Sequence, residues 1–184
     1  MKEQTRIISK LWPQRDTTRA TTINTPIYKG STVLFDNYGE MVKVHRQEYE
    51  GITYGTDRLP TQRQFEAAMC ELEGGAVTRV FQSGIAAIQT TLMAFAKSGD
   101  HILVCDNAYG PAQRFCRKVL KRFNIDFTLV PANVGADIEQ YIQPNTVLIL
   151  LESPGSITFE IQDIREIAAI ARSKGRSTSG STPS

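Results

Sequence analysis

From Thr61 onward the chain alternates between two hydrophobic rhythms, and the stretch before it shows neither. Ile85, Ile88, Leu92 and Phe95 recur at spacings of three and four, which puts them on one face of a helix over IAAIQTTLMAFA. AVTRVF, HILVCD, IDFTLVP and TVLILLE are short apolar runs of strand length, and TVLILLE is continuously apolar, as a strand central to a parallel sheet would be. Thr61 with Gln64 is a capping-box signature that opens a helix through QRQFEAAMCELE, and Gly74-Gly75 closes it. Pro111 suits the first position of a helix over PAQRFCRKVLKRF, a short helix is expected around ADIEQYI, and Asp163 with Glu166 caps IREIAAIAR. Strands alternating with helices predict a doubly wound α/β layer, a mostly parallel sheet flanked by helices.

Residues 1–60 read differently. TTRATTINTPIYKGSTVLF is rich in Thr and carries Pro26 and Gly30, and DNYGEMVKVHRQEYEGITYGTDRLP continues in loop-like fashion. This is expected to be an extended arm lying across its own domain or a neighbouring subunit. Residues 61–175 form the α/β domain, and the polar tail 176–184 has no apolar side chain and is expected to be disordered rather than to continue a sheet.

Composition narrows the function. The chain has 184 residues, enough for one domain or most of one. It is 41% hydrophobic and 22% charged, and its 21 basic and 19 acidic residues are scattered, so no nucleic-acid surface is expected. No apolar stretch approaches the ~18 residues of a membrane span, and the first residues lack the apolar core of a secretory signal. Cys70, Cys105 and Cys116 form no C-x-x-C pair, and His45 and His101 have no metal-ligand spacing. A reducing cytoplasm, no metal and no disulfide framework are the expectations.

Four places could carry chemistry. At Ser83-Gly84-Ile85 a strand-like run gives way to a helix, so unpartnered N–H groups at the positive end of the helix dipole could take a phosphate. The same residues serve equally as an N-cap and a tight turn. Tyr109 follows VCDNA at the carboxyl end of a strand, where ligands of open α/β sheets bind, and it either stacks on a planar ring or packs on the sheet. Tyr54-Gly55, with Arg58 nearby, either offers a hydroxyl and a cation to an anion or is a surface turn. Glu152, ending the central strand before SPGS, either faces a ligand or caps a neighbouring helix.

Taken together, the strings AMCELEGG, SGIAAI, DNAYGPAQRFC, GADIEQYIQPNT and LESPGS, in this order and spacing, resemble the Cys/Met-metabolism family of pyridoxal-phosphate enzymes from about Thr22 to Gly175. Within it, AMCELEGG and ESPGS are more similar to the β-lyases than to the γ-lyases or γ-synthases. The resemblance implies the fold type I (aspartate aminotransferase-like) architecture in part. It implies pyridoxal 5'-phosphate as cofactor, its phosphate at Ser83, Gly84 and Ile85, and its ring against Tyr109, which has a proton-transfer role. Tyr54 would reach a neighbouring subunit's site, so a homo-oligomer is implied. The substrate would be a small amino acid, cystathionine or another S-substituted cysteine, cleaved by β-elimination to a thiol, pyruvate and ammonia.

There are departures. Thr56 stands where members often carry an Arg for the neighbour's cofactor phosphate, with Arg58 two positions away, and Ser156 stands where γ-family members carry Asn. The family's D-N-T aspartate and S-x-[ST]-K lysine do not occur here, and Lys174, at the end of a helix, is not expected to replace that lysine. The chain is therefore expected to be an inactive N-terminal portion, with the cofactor not attached through the usual lysine. Three rival expectations are a non-catalytic subunit pairing with a full-length homologue, another member of the same family (a γ-lyase or γ-synthase), and a generic phosphate or nucleotide binder.

Overall fold

The computed structural model describes residues 25–175 and, for the backbone alone, 177–181. The chain divides into two compact units, Met1–Val80 and Phe81–Ser184.

In the first unit the helix α1 spans Tyr38–His45, a 3₁₀ turn Gly55–Asp57, and α2 Pro60–Leu72. The expected loop over 36–60 is thus partly helical. Asn37 Oδ1 accepts from the Glu40 N–H and Glu40 Oε2 accepts from the Asp36 N–H, a reciprocal cap that starts α1. α2 begins one residue before the expected Thr61, because Pro60 takes the first helical position and Gln62 Oε1, rather than Gln64, accepts from the Leu59 N–H. Thr61 and Gln64 are used instead to hold the arm. The Thr61 hydroxyl donates to the Pro26 carbonyl and accepts from the Tyr28 N–H, and the Thr25 hydroxyl donates to Gln64. These ties place α2 with the arm, so the boundary falls at Val80 rather than at residue 60. Glu66 is buried at 5% exposure. Burial raises its pKa, but hydrogen bonds from Arg58 and the Val80 N–H and the charges of Arg58 and Arg79 outweigh that, holding the carboxyl below its ordinary value.

The second unit contains α3 Gly84–Phe95, β1 His101–Cys105, α4 Gly110–Lys118, β2 Asp126–Val130, a 3₁₀ segment Gly135–Tyr141, β3 Thr146–Glu152, α5 Ile164–Ser173 and β4 Ser177–Ser181. The strands form one parallel sheet in the order β2-β1-β3-β4. Period-two alternation sorts their side chains: Ile102, Val104, Leu148 and Leu150 pack with Leu92, Ala112 and Cys116 on one face. Leu103, Ile149 and Leu151 pack with Ile138, Ile167 and Ala171 on the other. The doubly wound layer is therefore as expected. Among the described residues, no helix is long and apolar enough to cross a membrane.

Two expectations fail. AVTRVF is not a strand, because no strand among the described residues pairs with it, and Val77 and Val80 are exposed. Conversely, Ser177–Ser181 of the polar tail runs parallel to β3, with Leu148 opposite Ser177 and Glu152 opposite Ser181. A ladder is made by backbone groups, and the free edge of β3 offers them whatever the side chains are.

His101 opens β1 almost fully buried, its Nδ1 2.8 Å from Thr146 Oγ1 and its Nε2 2.9 Å from Thr128 Oγ1, so one ring bridges three strands. Burial lowers its pKa below 6.5, against a smaller opposing pull from Asp126. The imidazole is thus held neutral in the fold while the unfolded chain protonates near its ordinary value. Stability is full above about pH 6.5 and falls as pH drops through that value toward the lower folded one. Urea midpoints measured from pH 7.5 to 5 should decline over this window, and His101→Gln should flatten the decline; an unchanged slope would refute the assignment.

Candidate cofactor site

α3 is followed by a short turn into β1 and packs on the sheet, so it runs back along the strands and its N-terminus lies at their carboxyl edge. Ser83 is the N-cap, extended at φ −163° and ψ 157°, and its Oγ accepts from the Ala86 N–H at 3.2 Å. The cap and the anion site are compatible, since capping Ala86 leaves the N–H groups of Gly84 and Ile85 without a partner among the described residues. The first turn of α3 has no acidic residue, and a Cβ on Gly84 would meet nothing within 4 Å. Two free donors, open space and an unopposed helix dipole suit a phosphate dianion.

Tyr109 sits between β1 and α4 on the same edge. Its ring is 45% exposed and its hydroxyl has no partner among the described residues. Its N–H donates to Glu152 Oε2 at 2.8 Å, so the carboxylate ending β3 does cap the neighbouring helix's entry. A cleft of about 370 Å³ opens beside it, lined by Asp106, Asn107, Gly110, Gln113, Ser156 and Glu160 among others. Ser156 therefore faces the site edge. The polar set Asn107, Gly155, Glu160 and Gln162, which joins the loops after β1 and β3, was not visible in the sequence. Its members lie 53 and 55 positions apart, on segments with no hydrophobic period.

Tyr54 belongs to the first unit, 48% exposed, with no partner for its hydroxyl among the described residues. Arg58 is committed to its own unit, its Nη1 2.9 Å from Glu66 Oε2, and is not a free cation standing in for an Arg at Thr56. Lys174 closes α5, with its Nζ 2.8 Å from Glu139 Oε1, and holds that carboxyl below its usual range. α5 returns from the carboxyl edge to the start of β4, so Lys174 lies at the opposite edge from Ser83 and Tyr109. Cys70, Cys105 and Cys116 are free thiols, and burial pushes Cys116 up to about 11.

The α/β layer thus carries, on one edge, a helix N-terminus with unpartnered N–H groups and an exposed tyrosine, an arrangement that could hold a phosphate-bearing ligand. The sequence model of the Cys/Met metabolism PLP-dependent enzymes matches residues 5–179, and the chain belongs to that family. It is 41% identical over 151 residues to a cystathionine beta-lyase of Salmonella typhimurium, a match covering 82% of this chain and 38% of that one. In solved structures, it superposes with a TM-score of 0.82 at 32% identity on cystathionine gamma-lyase from Lactobacillus plantarum, complexed with L-serine, covering 98% of this chain and 44% of that one. It superposes with a TM-score of 0.87 at 26% identity on a putative O-acetylhomoserine (thiol)-lyase from Campylobacter jejuni carrying N'-pyridoxyl-lysine-5'-monophosphate, covering 98% and 44%. The architecture is that of fold type I PLP enzymes, in part. The chain spans about two fifths of the length of these relatives.

Proposed function

We propose that this chain supplies the phosphate cup and the ring-facing tyrosine of a pyridoxal-phosphate-dependent carbon–sulfur lyase of the cystathionine β-lyase kind. The observation that carries this is the pair of unpartnered N–H groups at Gly84 and Ile85, with the exposed Tyr109 ring on the same sheet edge. The reaction splits the Cβ–S bond of cystathionine or another S-substituted cysteine and consumes one water, giving a thiol, pyruvate and ammonia. Bound pyridoxal phosphate supplies the electron withdrawal that lets an amino acid lose its Cα proton. Ser83, Gly84 and Ile85 would hold the phosphate through the N–H groups at the start of α3. Tyr109 would lie against the ring, and its hydroxyl, without a partner among the described residues, is a group that could carry a proton between Cα and the departing sulfur.

The amine that holds the cofactor covalently is, on this reading, not Lys174, which is spent on Glu139 at the far edge. Tyr54, exposed and unpartnered in the first unit, serves a neighbouring subunit of a homo-oligomer. Free and largely buried thiols suit a reducing, cytoplasmic setting.

Titration of the chain with pyridoxal phosphate, followed by its absorbance, tests the reading. We expect binding that pyridoxal, lacking the phosphate, loses by about a hundredfold, as two charge-assisted hydrogen bonds would predict. Tyr109→Ala should weaken it by about tenfold. Equal binding of both ligands, or full competition by simple phosphate esters, would leave only a generic anion site. In an assembly of this chain that turns over cystathionine, pyruvate and homocysteine are the expected products; 2-oxobutanoate and cysteine would assign γ-elimination instead.

A further inference from the structure

Asn107 is buried at 8% exposure and directs three polar groups at the segment after β3. Its Nδ2 donates to Glu160 Oε2 at 3.2 Å, its Oδ1 accepts from Gln162 Nε2 at 3.3 Å, and its carbonyl accepts from the Ser156 N–H at 2.9 Å. Gln162, itself buried, is anchored in turn where its N–H donates to Ser153 Oγ at 3.0 Å. Gly155 lies so close that a Cβ there would sit 2.0 Å from Asn107 Nδ2. A larger residue at 155 and Asn at 107 are therefore mutually exclusive in this arrangement.

The segment so gripped is one that needs holding. Ile157 and Phe159 have φ of 70° and 57°, a region that side-chain-bearing residues, and β-branched ones above all, rarely enter. Such conformations persist only where the surroundings over-determine them. Ile157 and Phe159 are themselves 88% and 74% exposed, so their own packing does not do this. Tyr109 is in the same position. Its ring is half out in solvent and its hydroxyl is unpartnered among the described residues, while its N–H is held by Glu152 and its carbonyl accepts from the Ala112 and Gln113 N–H groups of its own helix. Asn107, two residues upstream, ties this loop to the segment that carries Ser156, Glu160 and Gln162.

We propose that Asn107 is the positioning residue of this site. It locks the loop that carries Tyr109 to the loop that carries Ser156, and Gly155 is there to admit its side chain. This rests on reading Tyr109 as a face for the cofactor ring, and the test separates the two.

Asn107→Asp keeps an acceptor for Gln162 but replaces the donor to Glu160 with a carboxylate, setting two like charges together. Adding Glu160→Gln returns a hydrogen bond with donor and acceptor exchanged. Amide hydrogen exchange and pyridoxal phosphate titration are measured on the parent chain, N107D and N107D/E160Q. N107D should speed exchange at the Tyr109 and Ser156 amides by about tenfold and weaken pyridoxal phosphate by a similar factor, and the double variant should restore both. Exchange at those amides that is unchanged in N107D overturns the proposal. So does acceleration spread evenly through the sheet with no rescue, which would mean Asn107 matters only for global stability. If the two amides respond and are rescued, yet the parent binds pyridoxal no worse than pyridoxal phosphate, the positioning role stands and the cofactor reading falls.

Discussion

Gly84→Pro is expected to weaken pyridoxal phosphate binding by about ten- to a hundredfold while leaving the unfolding midpoint almost unchanged. The separation follows from where Gly84 sits. It is the first residue of α3, a position whose N–H has no intrahelical partner, so a proline there costs the helix no hydrogen bond. Proline also constrains the preceding residue to extended backbone, and Ser83 already has ψ 157°. What the substitution removes is one of two donors aimed at the anion. Gly84→Ala is the matched control, since it keeps the N–H and its Cβ meets nothing within 4 Å in the free protein. The ratio of the Pro to the Ala affinity then reads the donor, and the Ala value reads the space. Equal affinities for parent, Ala and Pro chains would remove the cup from the site, leaving Ser83-Gly84 as a corner.

Local features carried most of what was legible. The Ser83 cap, the Asp163 cap on Glu166 and the turn at Pro111 are interactions within three or four residues, and the residues that make them are neighbours in the sequence. The same kind of signal was present at Asn37 and Glu40, where a polar, glycine-flanked context hid an eight-residue helix. Strands are a different matter, because a strand is a relation between two segments. AVTRVF has the composition of a strand and no partner among the described residues, while STSGS has a poor composition and a partner in β3. At the site, position at strand ends singled out Ser83, Tyr109 and Glu152, with Glu152 left open between facing a ligand and capping a helix, and the resemblance gave roles to Ser83 and Tyr109. Neither identified the Tyr109 N–H as the partner of Glu152, nor the Asn107 clamp, since polar contacts between loops follow no period. Arg58 shows the converse. Its charge suggested a ligand, and its partner proved to be a buried carboxylate eight residues away.

Ile149→Ala should destabilise the second unit by about 2–5 kcal/mol, a large share of the roughly 5–15 kcal/mol that a domain holds. Ile149 is fully buried at the middle of β3, opposite Leu103 on one side and Thr178 on the other. It belongs to one buried cluster with Leu103 of β1, Ile138 of the 3₁₀ segment and Ile167 of α5, so truncation leaves a cavity in a core shared by several elements. Urea unfolding should show a lower midpoint with an unaltered slope. Ile161→Ala removes the same atoms from a side chain that is 73% exposed and should change stability by less than about 0.5 kcal/mol. A comparable loss at both positions would contradict the core assigned to this face of the sheet. The effect should also reach the site, because β3 ends in the carboxylate that holds the Tyr109 N–H. Excess pyridoxal phosphate should then recover part of the Ile149→Ala loss by mass action, and at the same concentration it should recover about 1.4–2.7 kcal/mol less when Gly84→Pro is present in the same chain.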